Sequence, residues 1–438
     1  MILVEQISFK VHQIIPPSRI HQEYLLFRTG HLGAESEQKQ KEREGGMSRI
    51  TEDTKIQKSV FVFVCLMLLM SALPLKAAEG CSSGSYSIGS SQALYLICLP
   101  SSWNGDLVVF AHGYVSPTLQ LAIVDYVIPP NNTPVSQIIT GLGYAFATTS
   151  YSDNGLVIPQ AVDDIEALVE QFPALSGFTA PKHVYIVGAS EGGLVTALAM
   201  EKYPRLSGGL ATCGPVGDFR KQIDYFGDFL VLFNYFFPGV LSSLTEHNET
   251  PTPEHIPVEL LGEWTEIENA VDIAVKANQS ATSQLLQVSK AAADPNDPLS
   301  EATILGILWY DIFATNDAVE KLQGHPYDNS NRWYSGSNND LLLNLKISRF
   351  HADSTALYNI EKGFQTSGNL LGPVVTLHTT EDPIIPYWHE TLYNLKVLFA
   401  GSLLQHLNIP IVRYGHCSFD QNELLTAFSI LSFMAAGR

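Results

Sequence analysis

Six residues, Gly188-Ala189-Ser190-Glu191-Gly192-Gly193, hold a serine in a G-x-S-x-G frame. The apolar, β-branched stretch 182–187 before them reads as a buried strand, and 194–201 after them is rich in strong helix formers. A strand-to-helix turn of this kind lifts one hydroxyl out at the carboxyl edge of a sheet, at the amino end of a helix. Glycines suit it because the serine is strained and strand and helix pass close together. The bare pattern is common by chance. A Gly-rich turn of a nucleotide fold would resemble it, but no G-x-G-x-x-G and no P-loop lysine accompanies it here. Ser190 is therefore the candidate nucleophile.

A serine hydroxyl needs a base within hydrogen-bond reach, and that base needs a carboxylate to fix its tautomer and stabilise its cation. Asp382 follows the strand-like run 374–378, with Pro383 stiffening the turn, and His416 follows the strand-like run 410–414 after a glycine. All three side chains then project from one sheet edge, in the order Ser190, Asp382, His416. The rivals fit less well. His378 lies inside its strand as a core histidine, and His389 and His406 fall on helices or the surface. Asp163 and Asp164 occupy the solvated face of a helix, and Glu381 is the main competitor to Asp382. Developing charge on a carbonyl oxygen calls for backbone donors. One is expected from Glu191 and the other from Tyr114, after the strand 107–111 that ends at His112-Gly113. His112 itself reads as a loop anchor.

The elements that must position these groups alternate. Strand-like runs at 84–91 and 93–99 form an edge hairpin that Cys81 and Cys98 would staple. Further strands are expected at 107–111, 144–149 and 210–213. A helix with Val162, Ile165, Leu168, Val169 and Phe172 on one face follows Pro159 and ends at Pro173. Such alternation implies a mostly parallel sheet covered on both faces. It stops between Gly214 and Gly372, where helices are expected at 258–275, 282–292 and 301–322. The polar loop 328–340 offers oxygens that would suit calcium, although plain turns have the same composition. The block 216–372 reads as a helical cap inserted into a core of 79–215 and 373–438. The aromatic segment 225–237 would line an acyl or aryl site, or form the cap's own core.

The chain has 438 residues with 45% hydrophobic content, enough for a sizeable core. Lys55 and Lys58, the apolar run 60–75 and Ala77-Ala78 read as a signal peptide over 47–78. The run is shorter than the ~20 residues a membrane span needs, so no stable membrane anchor is expected. Residues 1–46 read as a non-native or disordered extension, with the true start at Met47. After Ala78 the chain carries 15 Lys and Arg against 36 Asp and Glu, a net of −21. That excludes nucleic acid and anionic membranes as partners and suits a secreted or periplasmic protein. Four cysteines remain, with no C-x-x-C and no zinc spacing. Two disulfides are the first reading, with three connectivities open. No metal site and no cofactor is read from the motifs.

With HGY at 112–114, GASEGG at 188–193, EDPIIP at 381–386 and YGHCSF at 414–419, the chain resembles the α/β-hydrolase superfamily over residues 81–215 and 373–438. It looks most similar to secreted bacterial serine esterases and prolyl-oligopeptidase-like hydrolases. The resemblance implies an α/β-hydrolase fold: a mostly parallel eight-stranded sheet with helices on both faces and a cap between the sixth and seventh strands. In tannase- and feruloyl-esterase-like relatives a cysteine beside the serine pairs with one beside the histidine. Here Ala189 replaces the first while Cys417 keeps the second. The strand order then implies a Cys213–Cys417 disulfide that tethers the histidine loop and matters more to catalysis than to folding. The expected activity is hydrolysis of small-molecule or polymeric carboxylic esters through Ser190, Asp382 and His416. An exopeptidase would need cap acids to hold an amine, for which Glu263, Glu266 and Glu268 are candidates. A non-catalytic binding protein on the same scaffold is the third reading.

Overall fold

The computed structural model describes residues 80–262 and 264–437. The expected extension at 1–46, the signal segment at 47–78 and Glu263 lie outside the described residues. Eight strands form the main sheet: β1 (Cys81–Ile88), β2 (Ser91–Cys98), β3 (Leu107–Ala111), β6 (Ala145–Thr149), β7 (Val184–Ala189), β8 (Gly208–Thr212), β9 (Val374–Glu381) and β10 (His406–Tyr414). Their spatial order is β1-β2-β6-β3-β7-β8-β9-β10, and a two-residue pair, β4 (Val127–Ile128) with β5 (Thr133–Pro134), stands apart. β1 and β2 form an antiparallel hairpin with Cys81 directly opposite Cys98, and the two are joined in a disulfide. β2 runs antiparallel to β6, and the pairs from β6 to β10 are parallel.

The helices are α1 (Val135–Gly141), α2 (Ile158–Ser176), α3 (Glu191–Lys202), α4 (Phe219–Phe236), α5 (Trp264–Ala277), α6 (Gln279–Ser289), α7 (Glu301–Lys321), α8 (Asp340–Lys346), α9 (Ser354–Gly363), α10 (Trp388–Phe399) and α11 (Gln421–Ala436). Central strands β3, β6 and β8 are buried along their whole length, as a parallel sheet covered on both faces requires. Alternate residues divide between two cores. Leu107 and Val109 pack with Leu168 and Phe172 of α2 and Val195 of α3, while Val108 and Phe110 pack with Phe428 and Leu431 of α11. Strand, helix and strand thus alternate up to β8, helices α4 to α9 intervene, and β9 and β10 complete the sheet. This is the α/β-hydrolase fold.

Three local expectations are corrected. Helix α2 starts with Pro159 in its first turn and runs past Pro173 to Ser176, where left-handed Gly177 donates its N–H to the Pro173 carbonyl. Proline forgoes only the bond to residue 169, and buried Val169 and Phe172 hold that turn in place. Asp164 is not solvated. It is buried, and its Oδ2 accepts from Ser152 N at 2.7 Å and Ser152 Oγ at 2.8 Å. Residues 258–261 form a separate 3₁₀ turn closed by Gly262, so helix α5 begins only at Trp264.

The crossing of β3, β7 and α3 permits no side chain at two glycines. A Cβ on Gly188 would run into the Gly192 carbonyl, and one on Gly192 into the Ala111 carbonyl. Gly188→Ala or Gly192→Ala should therefore destabilise the protein by more than about 3 kcal/mol, or abolish soluble expression. Urea unfolding against the unsubstituted protein measures it.

Candidate active site

Ser190 sits at the β7–α3 turn with φ 58° and ψ −123°, a left-handed backbone that a non-glycine residue adopts only when its surroundings enforce it. Its N–H donates to Thr212 O at 3.0 Å and its carbonyl accepts from Gly193 N at 2.9 Å, which fixes the turn against β8. His416 Nε2 lies 2.9 Å from Ser190 Oγ, and His416 Nδ1 lies 2.8 Å from Asp382 Oδ2. The three residues are 226 and 34 positions apart along the chain and form one hydrogen-bonded line. Glu381, the rival acid, points to solvent.

Asp382 directly follows β9 and is buried. The turn at Pro383 brings Ile384 N–H and Ile385 N–H onto its Oδ1, each at 2.9 Å. Burial alone would raise its pKa, but the attraction of His416, with hydrogen bonds from His378 and His416, holds it at about 2. His416 is reached through left-handed Gly415 (φ 110°), whose N–H donates to Glu381 O and whose carbonyl accepts from Thr379 Oγ1. The expected Cys213–Cys417 disulfide is present and links the end of β8 to the histidine loop.

Glu191 opens α3 directly after Ser190, and Tyr114 follows His112-Gly113 beyond the end of β3, the two places from which backbone donors are expected. The loop carrying Tyr114 passes close to the nucleophile, since a Cβ on Gly113 would lie 3.1 Å from Ser190 Cβ. His112 anchors that loop. It is stacked on Tyr151 at 4.0 Å, its Nδ1 donates to Gly113 O, and burial lowers its pKa to about 4. The Glu191 side chain is buried with Oε1 accepting from Val157 N. Burial pushes its carboxyl up to about 8, so it carries a proton at neutral pH.

The segment 225–237 divides its rings: half-buried Phe226 stacks on Tyr310 of α7 at 5.3 Å, the ring beside Ser190, while others pack inward. Phe229 and Phe233 are fully buried among the helices, and Tyr225 Oη donates to Pro383 O at 2.6 Å, so α4 braces the Asp382 turn. Helix α7 brings Trp309 and Tyr310 against Tyr114, with ring centroids 6.1 and 5.9 Å away. The Tyr310 phenol is a neighbour of Ser190, and burial raises its pKa. The aromatic run 309–310 and 313 within the expected helix was the available signal for this. His389 and His406 are buried rather than at the surface, because α10 packs its inner face on β9 and β10. Glu266 is exposed, and Glu268 accepts from the Trp264 indole at 2.8 Å. In the polar loop, Arg332 pairs with Asp224 and Asp228, and Asp328 accepts from Ser330. Among the described residues the metal-type donors that cluster are Cys213, Cys417 and His416, and the two sulfurs are bonded to each other.

Sheet order and the strand-to-helix turn are those of the α/β-hydrolase fold, and Ser190, His416 and Asp382 stand at one edge of it as a hydrogen-bonded line. Residues 137–228, which hold Ser190 but neither Asp382 nor His416, match the prolyl oligopeptidase family. No curated protein matches the chain by sequence. Among solved structures, the chain is similar to an acylaminoacyl peptidase from Pyrococcus horikoshii (11% identity, TM-score 0.41), covering 83% of this chain and 42% of that one. It is also similar to feruloyl esterase B from Aspergillus oryzae (16% identity, 77% and 74% covered, TM-score 0.46). A third is Est1E from Butyrivibrio proteoclasticus (11% identity, 81% and 99% covered, TM-score 0.36). The chain thus spans less than half the length of the archaeal peptidase.

Two outcomes follow from this geometry. Glu191 is ionised in the unfolded chain above its ordinary value of 4.5 but stays protonated in the folded protein up to about 8. Its contribution to stability is full below 4.5 and is lost as pH rises to about 8. Urea midpoints across that window should fall less steeply for Glu191→Gln than for the unsubstituted protein. Replacing Cys213 and Cys417 together by serine should lower turnover about tenfold at temperatures where circular dichroism reports a folded chain, because the His416 loop loses its tether.

Proposed function

We propose that this protein is a secreted serine esterase that cleaves carboxylic esters through an acyl-enzyme. The observation that carries the reading is the unbroken line Ser190 Oγ, His416 Nε2, His416 Nδ1, Asp382 Oδ2, with spacings of 2.9 and 2.8 Å. His416 takes the Ser190 proton as Oγ attacks the ester carbonyl, and the buried Asp382 carboxylate stabilises the resulting imidazolium. The N–H groups of Glu191 and Tyr114 receive the oxyanion, each contributing ~3 kcal/mol of barrier lowering. His416 then protonates the departing alcohol, and a water activated by the same imidazole releases the acid. The helices between β8 and β9 act as the cap, and Trp309 and Tyr310 present an aromatic wall to the acyl or aryl group. Two disulfides and the net charge of −21 after Ala78 support an exported protein.

A second reading, cleavage of amide bonds as an exopeptidase, is favoured by the match of residues 137–228 to the prolyl oligopeptidase family. The engaged Glu268 and exposed Glu266 offer it no converging acidic pair for a substrate amine. The protein should react with a fluorophosphonate at Ser190 and turn over p-nitrophenyl esters faster than aminoacyl or prolyl anilides. Ser190→Ala should abolish labelling, and Asp382→Asn should lower kcat about 10⁴-fold. Faster turnover of anilides would reverse the order of the two readings.

A further inference from the structure

Asp382 does not end the hydrogen-bonded line. Four residues earlier on β9 lies His378, fully buried. Its Nε2 lies 2.8 Å from the Ile385 carbonyl and 3.5 Å from Asp382 Oδ2, and its Nδ1 lies 3.0 Å from Glu390 Oε1 on α10. A carbonyl oxygen only accepts, so Nε2 carries a proton. The other oxygen of Glu390 already accepts from Thr376 Oγ1 at 2.6 Å and Asn408 Nδ2 at 2.7 Å. With Oε2 filled by these donors, Oε1 is the oxygen left to accept from His378 Nδ1. The ring lies between two carboxyl groups, a setting that favours the imidazolium. Burial opposes that charge, but the hydrogen bonds to Asp382 and Glu390 outweigh it and push the pKa up to about 10.

We propose that His378 and Glu390 are positioning residues of the hydrolytic site, a buried imidazolium–carboxylate pair that holds the Asp382 carboxylate and sets how strongly it stabilises the cation formed on His416. The proposal rests on the serine-hydrolase reading above. The other groups around the pair leave its charge alone. On α10, His389 accepts from Gly217 N and Asp218 N through Nδ1 and donates to Gln222 of α4 through Nε2, and burial followed by repulsion from His378 keeps it neutral. On β10, His406 faces Thr376 Oγ1 at 3.1 Å, and burial lowers its pKa. Tyr387 packs edge-on to the His378 ring at 5.8 Å and donates to Asn408, while Tyr225 of α4 donates to Pro383 O.

Asp382, His378 and Glu390 together carry one negative charge, and His416 balances it when it becomes protonated. Removing the cation should strengthen the hold on a charged His416, and removing Glu390 should weaken it. The acid limb of the kcat/KM profile for a p-nitrophenyl ester should therefore move to higher pH in His378→Gln and to lower pH in Glu390→Gln, each by at least about half a pH unit. The double variant should return close to the unsubstituted limb. A merely structural pair would lower yield or kcat without opposite displacements. A second measurement needs no variant at 378. In ¹⁵N-histidine-labelled Ser190→Ala protein at about pH 9, the His378 ring should remain doubly protonated. Unsubstituted protein inert to both fluorophosphonate and esters would overturn the hydrolase reading. An active enzyme whose acid limb ignores both substitutions, or a spectrum with no persistent imidazolium, would overturn the pair's role alone.

Discussion

The Asp382 carboxylate is a negative charge taken out of water, and removing such a group from solvent costs several kcal/mol unless donors converge on it. Here two backbone N–H groups from the turn at Ile384 and Ile385 meet Oδ1, while His416 and His378 lie 2.8 and 3.5 Å from Oδ2. Much of the surrounding structure is what those donors require. Pro383 shapes the turn, and α4 holds it by donating from Tyr225 to Pro383 O and from Gln222 to Ile384 O. Helix α10 packs on β9 so that Glu390 reaches the far side of His378. The charge specifies a unique arrangement of strand end, turn and two helices.

Ser190 meets this assembly because parallel strands finish at one edge. β7, β8, β9 and β10 are successive neighbours, so Ser190, Cys213, Asp382 and His416 all leave the sheet on the same side. Glycines at 188 and 192 let β7 and α3 approach closely enough to strain the serine outward. Helix α7 crosses above, with Gly306 lying over Ile384 and Tyr310 one turn further on beside Ser190. Rigid β-structure supplies Ser190, Asp382 and His416, and the intervening helices supply what surrounds them.

How far the sequence revealed this depends on the range of each interaction. Ser190, Asp382 and His416 were legible because each follows a short apolar strand, and the carboxyl ends of parallel strands coincide. The Cys81–Cys98 staple follows from hairpin register, and the Cys213–Cys417 link from the resemblance to known hydrolases. Burial of polar groups was not legible. Asp164 sits on what the helical pattern marks as a solvated face, yet Ser152 folds back onto it. His378 and Glu390 lie on a strand and a helix, and no periodicity reports that the two faces meet. The aromatic stretch 225–237 reads equally as core and as binding wall because apolar rings serve both, and packing divides it: Phe229 and Phe233 are buried while Phe226 stacks on Tyr310. The turn past Pro173 persisted because side-chain burial outweighs one missing backbone bond.

The Cys213–Cys417 bond makes the helical insertion and β9 part of a covalently closed ring whose ends lie 204 residues apart. A protease that cut anywhere between those two positions would leave both fragments joined as one molecule. The loops between helices α4 and α9 can accordingly be nicked, lengthened or exchanged while the imidazole stays leashed to the strand beside its serine. The protein gains a tolerance of proteolytic damage that its sheet alone would not provide.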